Sequence, residues 1–504
     1  MSEPTKTDPI KVYDARWETD EFTPLEIRRF IEAVLIYGRG LGVDTVTIAR
    51  DARLGSGSVM EMALKSAVQA GFTVYLCTDP ISTPQSYFLS FWASKDHPKT
   101  MGLTITASHN PANYVGLKVV VPGVQAIGLN CGPDGGFAKI REIYHGSETL
   151  QLGAGGKLIL VDPTERYLRF SMRAAGIEDG ELEGMKVILD ALNGSAGPEL
   201  CRALQQAGVS VLPLRLIPDG TFPSGSPNPT SRNKMDEAVA LAGKTGAVLV
   251  IGTDGDGDRL VFGNARGIMN AGFASTPILR KLLAGGSASG TSLPKPAKII
   301  YDPKVNPLAL VEWAKLDIKP VLFGNGHSQI KEHMRRIGAL GAVEESGHYY
   351  HSLTAEGLTF FAENSLVTVF LLVKALKENP ELMGNMWALQ DRVFTTGEIN
   401  YQMADDETRD RALQAVLQYF KDDHAVLVSE TEEGIDLLGT VVSRGVDLDA
   451  GKLESDWYNG YLRAATNEKS VLRFYLSAGS FDLGMQIEQK ARDILGRYPG
   501  RAID

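Results

Sequence analysis

Apolar and polar positions along this chain alternate in two periods, one near 3.6 residues and one of 2, and the switches between them mark out its elements. At Thr23-Pro24-Leu25-Glu26, Thr can cap, Pro fits the first turn and Glu closes a capping box, so a helix is predicted from there to about residue 38. The β-branched run 45–48 predicts a strand, 58–71 a helix and 73–76 a second strand, which is a βαβ pattern. A second unit opens with a strand at 186–190, passes through the Gly-rich turn 193–197, and continues as helix 198–207 and strand 210–212. A third begins near 298–301 after the linker-like stretch 285–296, with helix 307–315 and strand 321–323. From about residue 389 the pattern changes to short strands such as 472–475 and a closing helix at 481–497. The predicted fold class is therefore α/β: three tandem α/β domains with mixed sheets, at 1–155, 156–272 and 273–386, and a smaller α+β C-terminal domain at 387–504. No residue-level repeat links the three units.

Composition narrows the function classes. The 504 residues correspond to three or four domains at roughly 150 residues each. With 43% hydrophobic and 22% charged residues the chain is neither disordered, coiled coil nor collagen-like. A net charge of −10 supplies no overall field for a polyanion, so nucleic acid is not an expected partner, although a pocket can still gather cations for a small phosphorylated molecule. Cys77, Cys131 and Cys201 are too far apart for a zinc site or redox pair and fit a reducing compartment. The N-terminal stretch has no apolar core, and the longest apolar run, 366–373, is less than half the ~20 residues that span a bilayer. A cytoplasmic protein without membrane partners is expected, and nothing in the pattern sets an oligomeric state.

Two segments carry chemistry. Gly252-Thr253-Asp254-Gly255-Asp256-Gly257-Asp258-Arg259 follows the apolar run 248–251. Three carboxylates at alternate positions after a strand can converge on a small hard cation, with the glycines letting the backbone wrap closely. An EF-hand is excluded, because counting from Asp254 puts Arg259 where glycine is required and Ala265 where glutamate is required. The second segment is Thr106-Ala107-Ser108-His109-Asn110-Pro111, after the strand-like 103–105. No G-x-S-x-G occurs, so Ser108 is not on a hydrolase nucleophile elbow. Gly243-Lys244-Thr245 has the ending of a P-loop but Ala238 stands at its first glycine, and Gly38-Arg39-Gly40 has Val43 at the third glycine of a dinucleotide fingerprint.

T-A-S-H-N-P followed by D-G-D-G-D-R resembles the α-D-phosphohexomutase superfamily, the phosphoglucomutases and phosphomannomutases. Arg50-Asp51-Ala52-Arg53 is similar to the family's G-R-D-x-R, and Thr78 to Pro84 to its threonine-proline loop. Asp302-Pro303-Lys304, the run Gly326-His327-Ser328-Gln329-Ile330-Lys331 and Glu344-Glu345-Ser346-Gly347-His348 resemble its D-x-K, G-H-S-x-I-K and E-x-S-G-H elements. The resemblance spans all three α/β units in order. It implies a central cleft among four domains that bear, in turn, the phosphoserine, the metal, the sugar loop and a phosphate clasp. By this resemblance Ser108 carries the phosphoryl group, and Asp254, Asp256 and Asp258 hold Mg²⁺ together with a phosphoryl oxygen on Ser108. Lys118 is the general base, which requires a lowered pKa. His109 joins the catalytic set, and Arg16, in Tyr13-Asp14-Ala15-Arg16, steadies the phosphoserine. Glu344 and Ser346 take sugar hydroxyls, with Arg259, Lys304, His327 and His348 nearby. Arg463, Thr466, Asn467 and Arg473 grip the distal phosphate.

The implied reaction interconverts hexose 1-phosphate and hexose 6-phosphate, with glucose 1,6-bisphosphate as intermediate and activator. Two departures stand out. Ala465 lacks a hydroxyl that the family's closing R-x-S-G-T or R-x-S-N-T loop presents, and Glu363-Asn364-Ser365 stands where D-G-I is usual. A phosphoglucosamine mutase commonly reads E-Q-S-G-H, so Glu345 with Tyr349-Tyr350-His351 is closer to the glucose and mannose enzymes. A non-catalytic sugar-phosphate-binding paralogue is opposed by the intact Ser108, Lys118 and three aspartates. A metal-dependent phosphatase has no use for the sugar loop.

Overall fold

A computed structural model describes residues 7–285, 295–465 and 468–503. The helix predicted from Thr23 runs Pro24–Gly40, and its capping box forms as read: the Thr23 side chain accepts from the Glu26 N–H and the Glu26 carboxylate from the Thr23 N–H. Apolar runs become buried strands in four sheets. The first has the order Ala15–Glu18, Tyr114–Val121, Thr100–Ile105, Thr45–Arg50, Thr73–Pro80, Lys157–Leu160, with Gln125–Ala126 added beside Tyr114–Val121. Its last four strands are mutually parallel, and Tyr114–Val121 pairs antiparallel with each of its neighbours, a mixed sheet.

The second sheet centres on Lys186–Asp190 and Leu249–Thr253, which are parallel, and the third on Ala297–Tyr301 between two parallel neighbours. The fourth is antiparallel throughout, from Phe394–Met403 to Gly500–Ile503, and carries helices Asp406–Asp422 and Phe481–Leu495 against it. The expected class, three α/β units and an α+β unit, is the one observed. The boundary at 155 is corrected, because Lys157–Leu160 pairs with Thr73–Pro80 and completes the first sheet. The boundaries at 272 and 386 fall inside helices Ala271–Gly285 and Leu382–Gln390, so neither is a joint between units.

The largest buried cluster joins the second and third units across helix Ser365–Glu378, whose residues 365–373 are all buried. That helix absorbs the longest apolar run of the sequence, since a helix apolar on all sides is stable only when surrounded. Among the described residues no helix is long and apolar enough to cross a membrane. The fold gathers its chemistry at strand C-terminal ends. Ser108 follows Thr100–Ile105, Asp254 follows Leu249–Thr253, and Asp302 and Glu344 follow Ala297–Tyr301 and Gly341–Val343. Ligand crevices in open α/β sheets form at these ends.

Candidate functional site

A cleft of about 880 Å³ runs between the four units and is lined by Ser108, Lys118, Asp258, His348 and residues of the fourth sheet. Ser108 is buried and held at φ 52, a left-handed conformation that residues with a side chain adopt at a cost of about 1–2 kcal/mol. Its neighbours enforce that conformation. Thr106 Oγ1 accepts from the Ser108 N–H at 2.9 Å, and Arg53 Nη2 donates to the Ser108 carbonyl at 2.7 Å. Arg53 also reaches the carbonyls of Asn110, Pro111 and Tyr114 and pairs with Asp51, with its side chain fully enclosed. Thus A-R-D-A-R works as a staple for the serine loop, a role its spacing alone did not reveal. Arg16 grips the same loop through Asn110 Oδ1 and the Ala107 carbonyl, anchored by Asp14.

The Ser108 hydroxyl donates to Asp254 Oδ2 at 3.0 Å and lies 3.2 Å from His109 Nδ1. Burial, with Arg259 and Arg16 nearby, drives the His109 pKa well below its ordinary value, so its imidazole is neutral. The serine and the aspartate loop, apart in sequence, are therefore in direct contact.

Asp254, Asp256 and Asp258 are buried, with ligand oxygens within 4.8 Å of one another. Burial and the other two carboxylates push Asp254 well up. For Asp256, burial and Asp258 act upward, but Lys118 and the Thr83 hydroxyl reverse them and leave it below the usual carboxylate range. Asp256 Oδ1 and Asp258 Oδ1 are buried without any hydrogen-bond partner. Orphaned, convergent, hard oxygen atoms of this kind fit a divalent cation.

Gly257, between two of these aspartates, has φ +72, and a Cβ there would lie 2.4 Å from Ala196 Cβ and 3.1 Å from Ser82 Cβ. Gly257→Ala is expected to cost about 1–3 kcal/mol in stability and to weaken Mg²⁺ binding together. A denaturation midpoint and a Mg²⁺ titration check both.

Lys118 departs from expectation. Its Nζ donates to Asp256 Oδ2 at 2.7 Å and Asp258 Oδ2 at 2.5 Å. Burial acts to lower its pKa, yet the two carboxylates outweigh burial and hold it well above the ordinary lysine value, opposite to the lowered value a base needs. In this arrangement Lys118 is the counter-ion of the aspartate loop.

The third unit delivers its residues as a linked set. Arg259 Nε donates to His348 Nε2 at 3.0 Å, and the Leu260 N–H donates to the Gly347 carbonyl, so the aspartate and E-x-S-G-H loops are hydrogen-bonded together. His348 Nε2 is thus an acceptor and Nδ1 bears the proton, directed at Asp258 Oδ1 and Glu363 Oε1, 3.7 and 3.6 Å away. Asp258, His348 and Glu363 have potential ligand atoms within 4.8 Å of one another, but a protonated Nδ1 does not fit that role. Glu363 pairs with buried Lys331 at 2.7 Å, which gives the E-N-S departure a physical content. Asn364 caps helix Ser365–Glu378, and Ser365 Oγ donates to the Gly257 carbonyl.

Glu344 accepts from Tyr350, Asn325 and the Gly326 N–H, and Ser346 and Lys304 line the cleft beside it. His327 is buried with Nε2 unpartnered. Glu345 also lines the cleft, and its carboxylate accepts from the Ala271 and Gly272 N–H groups at the start of helix Ala271–Gly285.

In the fourth unit Arg463 and Arg473 are direct cross-strand partners and both line the cleft. Arg473 is occupied by Glu398 and Glu468. Thr466 and Asn467 lie outside the described residues. Glu398, Lys331 and Thr83 had no role in the sequence reading. Thr83 and Lys331 lay within recognised motifs, whereas no local pattern marks Glu398.

Comparison with known proteins places this geometry. Sequence models described as phosphoglucomutase/phosphomannomutase alpha/beta/alpha domains I, II and III match residues 9–129, 165–267 and 282–390, together more than half of the chain. A phosphomannomutase of Escherichia coli (strain K12) is 26% identical over 446 residues, covering 84% of this chain and 88% of the relative. A phosphomannomutase/phosphoglucomutase of Pseudomonas aeruginosa is 27% identical over 407 residues, 79% of this chain and 80% of the relative. A phosphoglucomutase/phosphomannomutase family protein of Burkholderia thailandensis has a similar fold, with a TM-score of 0.76, 24% identity and coverage of 97% and 96% of the two chains.

Proposed function

Because this chain belongs to the phosphoglucomutase/phosphomannomutase family and is a mutase, an isomerase by reaction class, we propose that it interconverts hexose 1-phosphates and hexose 6-phosphates, accepting glucose and mannose, with Ser108 as the phosphoryl carrier. The observation that carries this reading is the Ser108 hydroxyl, fixed at φ 52 in the cleft and 3.0 Å from Asp254. Phosphorylated Ser108 gives its phosphoryl group to the free hydroxyl of a bound hexose phosphate. The sugar O–P bond forms as the serine O–P bond breaks, and the hydroxyl proton passes to a base. The resulting 1,6-bisphosphate turns end over end and returns its other phosphate to Ser108.

Each residue has a part in that cycle. Asp254, Asp256 and Asp258 would hold Mg²⁺, which would supply charge to neutralise a migrating phosphoryl group; with their charge so balanced, Asp256 and Asp258 would hold the Lys118 ammonium less strongly. Lys118 then serves as the base. Arg16 and His109 hold the serine loop and its oxygen, and Arg259 and His348 tie the sugar loop to the aspartate loop. Glu344, Ser346, His327 and Lys304 receive the sugar, and Arg463 with Arg473 the distal phosphate. Enclosure between four units excludes water, to which a phosphoserine would otherwise lose its phosphate.

Purified enzyme with Mg²⁺ is expected to turn over glucose 1-phosphate and mannose 1-phosphate, with a lag that glucose 1,6-bisphosphate shortens, and a tryptic peptide containing Ser108 is expected to carry one extra phosphate by mass. Turnover of glucosamine 1-phosphate alone would overturn the substrate assignment, and an unmodified Ser108 in bisphosphate-treated enzyme would overturn the carrier.

A further inference from the structure

The wall of the cleft that should receive a phosphate already holds an anion. Glu398 lies on strand Phe394–Met403 of the fourth sheet and lines the cleft with Arg463, Arg473 and Lys304. Its Oε1 accepts from Arg473 Nη1 at 2.8 Å, and its Oε2 is 3.7 Å from Lys304 Nζ, which comes from the third unit. Its side chain is only 29% exposed. Burial works to raise the Glu398 pKa, but Lys304, Arg473 and Arg463 reverse that and leave it below the usual carboxylate range, so the group is ionised among three cations. A carboxylate bridging two units through the cations of a phosphate clasp is in the position that a phosphate would take.

We propose that Glu398 is a resident competitor of the substrate's distal phosphate, holding Lys304 and Arg473 together in the empty cleft and reclaiming them each time that phosphate leaves. The inference rests on the mutase reading of the same cleft. A mutase of this cycle must bind both ends of a bisphosphate in turn and release each, so a clasp that holds phosphate too firmly stalls the turning step. A dianionic phosphate exceeds a single carboxylate in charge and in acceptor atoms, and it displaces Glu398. What it gains is the difference between two ion-paired states, because Lys304 and Arg473 are already paired before it arrives. Glu398 acts through these cations and is a positioning residue.

Glu398→Gln keeps shape and removes charge, which leaves Lys304 with Asp302 alone and Arg473 with Glu468 alone. Calorimetric titration of the variant with inorganic phosphate and with glucose 6-phosphate is expected to show binding about tenfold tighter than wild type, the weight of one charge-assisted contact. In steady state KM is expected to fall and kcat not to rise. Glu468→Gln frees Arg473 alone and is expected to tighten phosphate binding less. Unchanged or weaker phosphate binding in Glu398→Gln, a raised KM, or equal tightening in Glu468→Gln would overturn the proposal. The inorganic phosphate titration needs no turnover, so inactivity of the wild type on every hexose phosphate would fail the mutase reading and leave this result to stand by itself.

Discussion

Ser108→Ala is expected to bind hexose phosphate within a few-fold of wild type and to lose about three powers of ten or more in kcat, the scale seen when a covalent nucleophile is deleted. The two effects separate because the loop does not depend on the side chain. Arg53 holds the Ser108 carbonyl and Thr106 the Ser108 N–H, and both contacts persist in alanine. The left-handed backbone strain is alike for serine and alanine, so the variant adds no new conformational cost. What disappears is the hydroxyl directed at Asp254, the proposed phosphoryl carrier. Binding calorimetry with glucose 6-phosphate and a coupled assay with glucose 1-phosphate measure the two halves. Retention of more than a few per cent of wild-type kcat would place the carrier elsewhere.

The sequence made the frame of this molecule legible wherever an apolar run and its cap coincide. Thr23 to Glu26 states its helix twice, by side-chain chemistry and by period, and the structure repeats both statements. The aspartate loop was legible because alternating Asp and Gly after a buried strand has few other uses, and the orphaned oxygens of Asp256 and Asp258 agree with it. Lys157–Leu160 was misassigned because its residues are largely exposed at a sheet edge, where membership depends on a partner 84 residues earlier and not on its own pattern. Glu345 stands inside a recognition loop, and its position in the motif does not reveal what its carboxylate holds. Its carboxylate answers the N–H groups at the start of a helix that begins 74 residues earlier. Glu398 and Lys118 show the same limit on the side of charge. Spacing reveals which residues share a strand, but an ion pair across a cleft is decided by how the units dock.

Lys118→Met should reveal that docking most directly, through stability in the absence of metal. Lys118 is the ammonium hydrogen-bonded to Asp256 and Asp258, and all three groups are buried. Deleting one partner of a buried ion pair leaves charge uncompensated at a cost of about 3–5 kcal/mol. Methionine fills nearly the same volume, so little of the loss comes from a cavity. The metal-free variant is therefore expected to melt several degrees below the metal-free wild type. Added Mg²⁺ is expected to raise the Tm of the variant more than that of the wild type, because a cation that binds only the folded protein stabilises it in proportion to its affinity, and in the variant it has no ammonium to displace. Turnover is expected to remain lost at saturating Mg²⁺, since the restored charge balance does not restore a group able to take the hydroxyl proton. Thermal melts with and without Mg²⁺ decide the competition. An equal Mg²⁺ shift in both proteins would show that Lys118 and the cation do not share the carboxylates of Asp256 and Asp258.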